Sequence, residues 1–148
     1  MTRTIVLVPL LTLALTWGTA AQAGASGTSD VGSRARAFVA MTHERFMAQA
    51  ASVSAPFDWA TDGCTATPAS WAATFRPACV QHDFGYRNLG YGLRLSRLEA
   101  TRRWIDERFL DEMRRICDAG RRGLRRVACR TRATLMWAAV RVANRPWT

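Results

Sequence analysis

The chain has no lysine. Its positive charge, a formal +10 over 148 residues, rests on arginine alone, with 11 acidic groups set against 21 cationic ones. Arginines crowd the later part, at Arg114, Arg115, Arg121, Arg122, Arg125, Arg126, Arg130 and Arg132. Guanidinium pairs with phosphate through two parallel hydrogen bonds. The run therefore suits an anionic partner, either phospholipid headgroups or nucleic acid; a solvated helix face is the plainer alternative. Charge decides nothing about fold. Also missing are sustained strand alternation, an internal repeat and any low-complexity tract, which sets aside sheet and repeat architectures. No G-x-S-x-G is present, so nothing in the sequence signals a serine nucleophile on an elbow turn.

A long apolar run is absent too. The run Ile5 to Leu15 holds Pro9, and about 11 strongly apolar residues are too few to span a bilayer. Arg3 is the only charge before Asp30, and Ala21-Gln22-Ala23 fits a small-x-small cleavage pattern. Residues 1–23 are read as a cleavable secretory signal cut near Ala23, so the protein is expected outside the cell or in the periplasm. Residues 24–33, small and polar, are expected to be a flexible lead-in. Residues 34–148 then form one domain.

The domain holds four cysteines, Cys64, Cys79, Cys117 and Cys129, an even number in an oxidising compartment. Three pairings are open. Cys64–Cys79 with Cys117–Cys129 is favoured because each closes a short loop, contributing about 3 kcal/mol in the chain-entropy account. A zinc site from Cys79 and His82 competes, but neither Cys117 nor Cys129 has a nearby histidine or a C-x-x-C partner.

Four helices are expected. The first covers roughly Ser33 to Ala51, with Phe38, Met41, Phe46 and Met47 as apolar contacts. Ser52 to Ser70, with Pro56, Gly63 and Pro68, reads as loop. The second helix runs from Pro77 to about Asn88, and Gly90 and Gly92 break it. The third spans Ser96 to Ala119 on the period of Ile105, Phe109, Met113 and Ile116. Ser96 and Glu99 could form its capping box, and Gly120 ends it. A fourth, Gly123 to about Ala143, carries Leu124, Val127, Leu135, Met136, Ala139 and Val140. The fold class is all-α, compact and cross-linked.

Chemistry concentrates between Cys79 and Asn88. On a helix, Cys79 and His82 lie one turn apart, with Asp83 about 100° further round. On the third helix, Asp106 falls within the apolar stripe beside Phe109 and Met113. A buried carboxylate needs a partner. His82 qualifies, since a helix after a short glycine break returns antiparallel to its neighbour; an arginine is the alternative. An imidazole beside a carboxylate, next to a potential disulfide, points to a metal-assisted hydrolytic site, with a helix bearing a polar patch as the plainer alternative.

Two strings, Phe57-Asp58-Trp59-Ala60-Thr61-Asp62-Gly63-Cys64 and Ala78-Cys79-Val80-Gln81-His82-Asp83-Phe84-Gly85-Tyr86-Arg87-Asn88, resemble the small secreted phospholipases A2 of bacteria and fungi. Trp104-Ile105-Asp106, Glu112-Met113 and Cys117 resemble that family's later half. The likeness covers about Phe38 to Val142. It implies a calcium-dependent enzyme cleaving the sn-2 acyl ester of glycerophospholipids. His82 would be the catalytic histidine and Asp106 the aspartate that orients it. Asp62 and Asp83 would bind Ca2+ with the Gly63 carbonyl, and the disulfides would be the pairs named above. Phe57, Trp59, Phe75 and Tyr86 are candidates to line the acyl slot, with core packing as the alternative for each. The partner would be a phospholipid membrane or micelle surface, anionic by preference, met by a monomer with no obligate protein partner.

Three departures stand out. The family carries a bulkier apolar residue at Gly63, and glycine there is expected to loosen the loop and lower calcium affinity. Leu89 to Leu95 is glycine-rich, and the arginine load exceeds what catalysis demands. The alternative function is a non-catalytic basic secreted protein that binds anionic membrane or nucleic acid. It would need the arginines but not His82, Asp83 and Asp106 together.

Overall fold

The computed structural model describes residues 20–53, 55–143 and 147; most of the segment read as a leader lies outside them. Among the described residues the chain forms helices and no strand. The first helix, α1 (Ala20–Ala40), passes straight through residues 24–33, the stretch read as a lead-in. No proline interrupts that stretch. Ser33 Oγ donates to the Ser29 carbonyl one turn back, and Val31 packs against a buried cluster, so tertiary contact outweighs weak propensity.

A single helix over 33–51 was expected, but α1 stops at Ala40 and α2 (His43–Ala50) starts afresh. The last carbonyls of a helix need outside donors. Gln81 Nε2 supplies them, reaching the carbonyls of Phe38, Val39 and Met41 at 3.2, 3.2 and 2.9 Å. Arg108 Nη2 adds bonds to those of Ala40 and Met41. Thr42 then caps α2 by accepting from Arg45 N. Phe38 and Phe46 are buried as expected, whereas Met47 is largely exposed.

Helix α3 (Ala69–Gly85) begins eight residues before Pro77, which lies inside it. An interior proline forfeits a hydrogen bond and costs about 3 kcal/mol. Burial of Phe75, Ala78 and Cys79 around it, with the Cys64–Cys79 disulfide, offsets that cost. A π-helical turn, Tyr86–Tyr91, continues α3. Gly92 closes it: its N–H donates to the Arg87 carbonyl at 2.8 Å, and a Cβ there would stand 2.3 Å from that oxygen. Only glycine fits.

Next come α4 (Glu99–Gly120) and α5 (Gly123–Val142). The expected capping box is not formed: Leu98 is the N-cap residue, and Glu99 pairs instead with Arg102 at 2.8 Å. Of the expected α4 stripe, Ile105, Phe109 and Met113 are buried, Ile116 is half-buried, and Cys117 beside it is buried. Phe84 of α3 meets Ile105 in one buried cluster. Earlier α3 residues, Phe75 and Cys79, meet Phe109, Met113 and Cys117 in a second. Later with earlier and earlier with later makes α3 and α4 antiparallel. On α5 the inward residues are Cys129, Ala133 and Met136, while Leu124, Val127 and Leu135 face outward.

Candidate active site

His82 and Asp106 sit where the two clusters meet. His82 Nε2 is 2.9 Å from Asp106 Oδ1. A carboxylate only accepts, so in the neutral ring Nε2 carries the proton and Nδ1 the lone pair. Among the described residues Nδ1 has no hydrogen-bond partner. The ring lies 4.6 Å from Phe109 and 4.5 Å from Tyr86, both tilted, so its orientation is held from two sides. Asp106 is completely buried, and its oxygens are shared out. Oδ1 also accepts from the Tyr86 hydroxyl at 2.8 Å, and Oδ2 from Arg141 Nη1 at 2.8 Å. Both partners weighed from the sequence, a histidine and an arginine, are present.

These contacts set the charge states. Burial alone would raise the Asp106 carboxyl, but the hydrogen bonds from His82, Arg141 and Tyr86, with the His82 charge, hold it below the ordinary carboxylate value. Burial first, then the adjacent Asp106 charge, pushes the Tyr86 phenol up and keeps it protonated.

The loop before α3 carries the other half. Asn88, fully buried in the π turn, pins it: Oδ1 accepts from Asp58 N at 2.9 Å and Nδ2 donates to the Asp58 carbonyl at 2.8 Å. Three residues on, Thr61 Oγ1 donates to Asp83 Oδ2 at 2.5 Å and accepts from Gly63 N at 3.0 Å. One hydroxyl thus ties the loop to α3. Gly63 has φ of +71°, the left-handed region that glycine tolerates. Burial raises the Asp83 carboxyl above its ordinary range and the nearby Asp62 charge adds to this, with the Thr61 bond pulling the other way. Two neighbouring carboxylates, one partly desolvated, beside a backbone carbonyl are the oxygen donor set that Ca2+ accepts. The residues fit the ion.

One further group of metal-type side chains lies close together among the described residues: His43, Glu44 and Glu112. It does not suit a cation. Glu112 already accepts from His43 N and Nδ1 at 2.9 and 3.0 Å, and is paired with Arg108 and Arg115 at 2.7 and 3.3 Å. Two guanidiniums occupy the charge that a metal would need.

A cavity of about 800 Å³ joins these parts, a volume suited to a lipid-sized ligand. Asp62, Gly63, His82 and Asp83 all line it, as does Tyr86. The other aromatic candidates do not. Phe57 and Trp59 pack with Phe38 and Phe84, and Trp59 also with Phe46, at centroid distances of 4.5–5.7 Å, and Phe75 is buried in the second cluster. Flanking apolar contacts draw them into the core. The actual apolar wall is Trp71, Phe109 and, from α5, Leu135, Met136, Ala139 and Val140. Thr61, Gln81, Asn88 and Arg141 went unassigned from the sequence. The first three lie inside the two matching strings, whereas Arg141 is 35 residues from Asp106 and carries no local signal.

The disulfides are Cys64–Cys79 and Cys117–Cys129, which removes Cys79 as a zinc ligand. Among known proteins, the chain is 34% identical over 88 residues to a protein named secretory phospholipase A2 from Arthroderma benhamiae, covering 57% of each chain. It is 45% identical over 58 residues to a protein of the same name from Beauveria bassiana, covering 38% of this chain and 29% of that one. The chain thus spans little more than half the length of the first relative and under a third of the second. The sequence model of prokaryotic phospholipase A2 matches residues 35–144, a span that takes in both disulfides, the loop of Asp62 and the whole His82–Asp106–Arg141 network. The chain belongs to the prokaryotic phospholipase A2 family.

Proposed function

We propose that the protein is a secreted, calcium-dependent phospholipase A2 that hydrolyses the sn-2 ester of glycerophospholipids, acting as a monomer at a membrane or micelle surface. The observation that carries this reading is the buried His82–Asp106 bond, which leaves Nδ1 of a cavity-lining imidazole free to take a proton. Secretion is supported by the two disulfides.

In this reading His82 Nδ1 accepts a proton from a water attacking the sn-2 carbonyl. Asp106 keeps the ring in the tautomer required and stabilises the imidazolium as it forms. Tyr86 and Arg141 keep Asp106 in place and ionised. His82 then returns the proton to the departing lysophospholipid alkoxide. Asp62, Asp83 and the Gly63 carbonyl would hold Ca2+, whose chemistry when bound is polarisation of the ester carbonyl and stabilisation of oxyanion charge. Thr61 holds Asp83 toward the loop. The α5 wall excludes water and accommodates the acyl chain.

The test is release of a labelled sn-2 fatty acid from phosphatidylcholine, with calcium and with chelator, for the wild type and His82→Ala. Calcium-dependent release that falls by roughly 10²–10⁴-fold or more in the variant is expected. Release that survives chelation or the substitution would sink the mechanism.

A further inference from the structure

Helix α5 has two apolar faces. The inward one, Cys129, Ala133 and Met136, packs on α4. At about 100° per residue, Leu124, Ala128, Thr131, Leu135, Ala138 and Val142 follow one another in steps of four and three along the opposite side. That side is uncovered among the described residues: Leu124 is 87% exposed, Val127 60%, Leu135 55% and Val142 76%. Contiguous exposed aliphatics of this size mark a contact surface.

Charge identifies the contact. Helix α5 carries no carboxylate, and its arginines flank the stripe. Arg130 is paired with Asp118 at 2.5 Å and Arg141 with Asp106, and Arg132 stacks over Trp71 at 5.8 Å. Arg125, about 100° round the helix from the middle of the stripe, makes no ion pair among the described residues and is exposed, whereas Arg126 falls on the far side of the helix with Ala133. An apolar stripe with cationic margins is the pattern of a helix lying in a lipid–water interface. A second copy of the chain fits poorly, since α5 itself offers no acidic residue to meet the arginines of its copy. Position agrees. Leu135 belongs both to the stripe and to the cavity wall, where Ala139 and Val140 continue it inward.

We propose that the outward face of α5 is the surface that rests on an anionic phospholipid layer, with Leu124, Val127, Leu135 and Val142 among the acyl chains and Arg125 at the phosphates. A lipid leaving the layer past Leu135 then meets apolar surface from the bilayer to His82. Only this last consequence rests on the phospholipase reading; the surface itself is tested without turnover.

Partition is measured onto vesicles of ether-linked, non-hydrolysable phosphatidylglycerol and phosphatidylcholine, for the wild type and for Leu124→Gln, Val127→Gln and Val142→Gln combined. None of the three lines the cavity. Helical content by circular dichroism checks the fold. The expected result is at least tenfold weaker partition of the triple variant, with hydrolysis of a short-chain phosphatidylcholine below its micellar concentration unchanged. Arg125→Gln should flatten the salt dependence of partition. Partition of the triple variant equal to wild type overturns the proposal. So does a wild-type dimer in sedimentation that the substitutions dissolve, which would assign the face to a second copy. Loss of partition with no hydrolysis of the short-chain substrate by either protein supports the surface and counts against the phospholipase reading, so the two failures are distinguishable.

Discussion

Arg141, near the end of α5, places Nη1 2.8 Å from Oδ2 of Asp106 on α4, a carboxylate with no exposed surface. The last helix thereby reaches the reacting centre through the group that orients the base. After the His82 bond, this Arg141 contact from α5 helps to hold Asp106 ionised.

Arg141→Met should leave that oxygen without its cation. Breaking one side of a buried pair costs about 3 kcal/mol, and the loss should appear in urea unfolding. Turnover should fall while KM changes little, because Arg141 acts through Asp106. A fall in stability with turnover intact would refute the link.

Acid stability follows from the same carboxylate. Its folded value is depressed, so its stabilisation is complete above about pH 4 and is lost as pH falls through the lower folded value. Asp106→Asn has no such proton to take up. The variant should be clearly less stable than wild type at neutral pH, and the gap should narrow toward about pH 2. A gap that does not change with pH would show that Asp106 is not ionised in the folded protein.

Thr61→Val removes the hydroxyl that bridges Asp83 and Gly63. A hydrogen bond to a charged group is worth about 1.5–3 kcal/mol, so calcium affinity by calorimetry should drop roughly tenfold or more. Thr61→Ser should keep it. Unchanged affinity in the valine variant would leave Thr61 no role in shaping the site.

Gly63→Leu restores the bulk that the family carries. Here φ is +71° and a Cβ would lie 3.3 Å from Arg76 Nη1. Left-handed backbone costs a side-chain-bearing residue about 1–2 kcal/mol. The variant should be less stable by that amount and should bind calcium more weakly. Tighter binding would instead support the expectation that glycine loosens this loop.

How far the chain could be read in advance depended on the range of each interaction. The α4 stripe and Asp106 within it were legible because helical period is a property of neighbouring residues. His82 with Asp106 was legible because a short, glycine-broken connection leaves few ways to pack two helices. The break at Met41 was not, since it depends on Gln81 and Arg108 reaching carbonyls about 40 and 70 residues away in the chain. The aromatics stayed open between acyl slot and core for a related reason. Phe57, Trp59 and Phe75 have the composition of a binding slot, but composition does not say which neighbours surround a ring.

Sequence by itself determined the helical class, the short-loop disulfides, the imidazole–carboxylate pair and the loop aspartate with its following glycine. All are encoded by period, spacing or residue type within a few turns. Tertiary structure alone decided that Arg141 completes the Asp106 network, that Asn88 and Thr61 fasten the loop to α3, and that α5 turns Leu124, Val127 and Leu135 outward. Those outcomes depend on which faces meet when the helices pack. An apolar residue on an amphipathic helix carries no label saying whether its partner is the core or another phase.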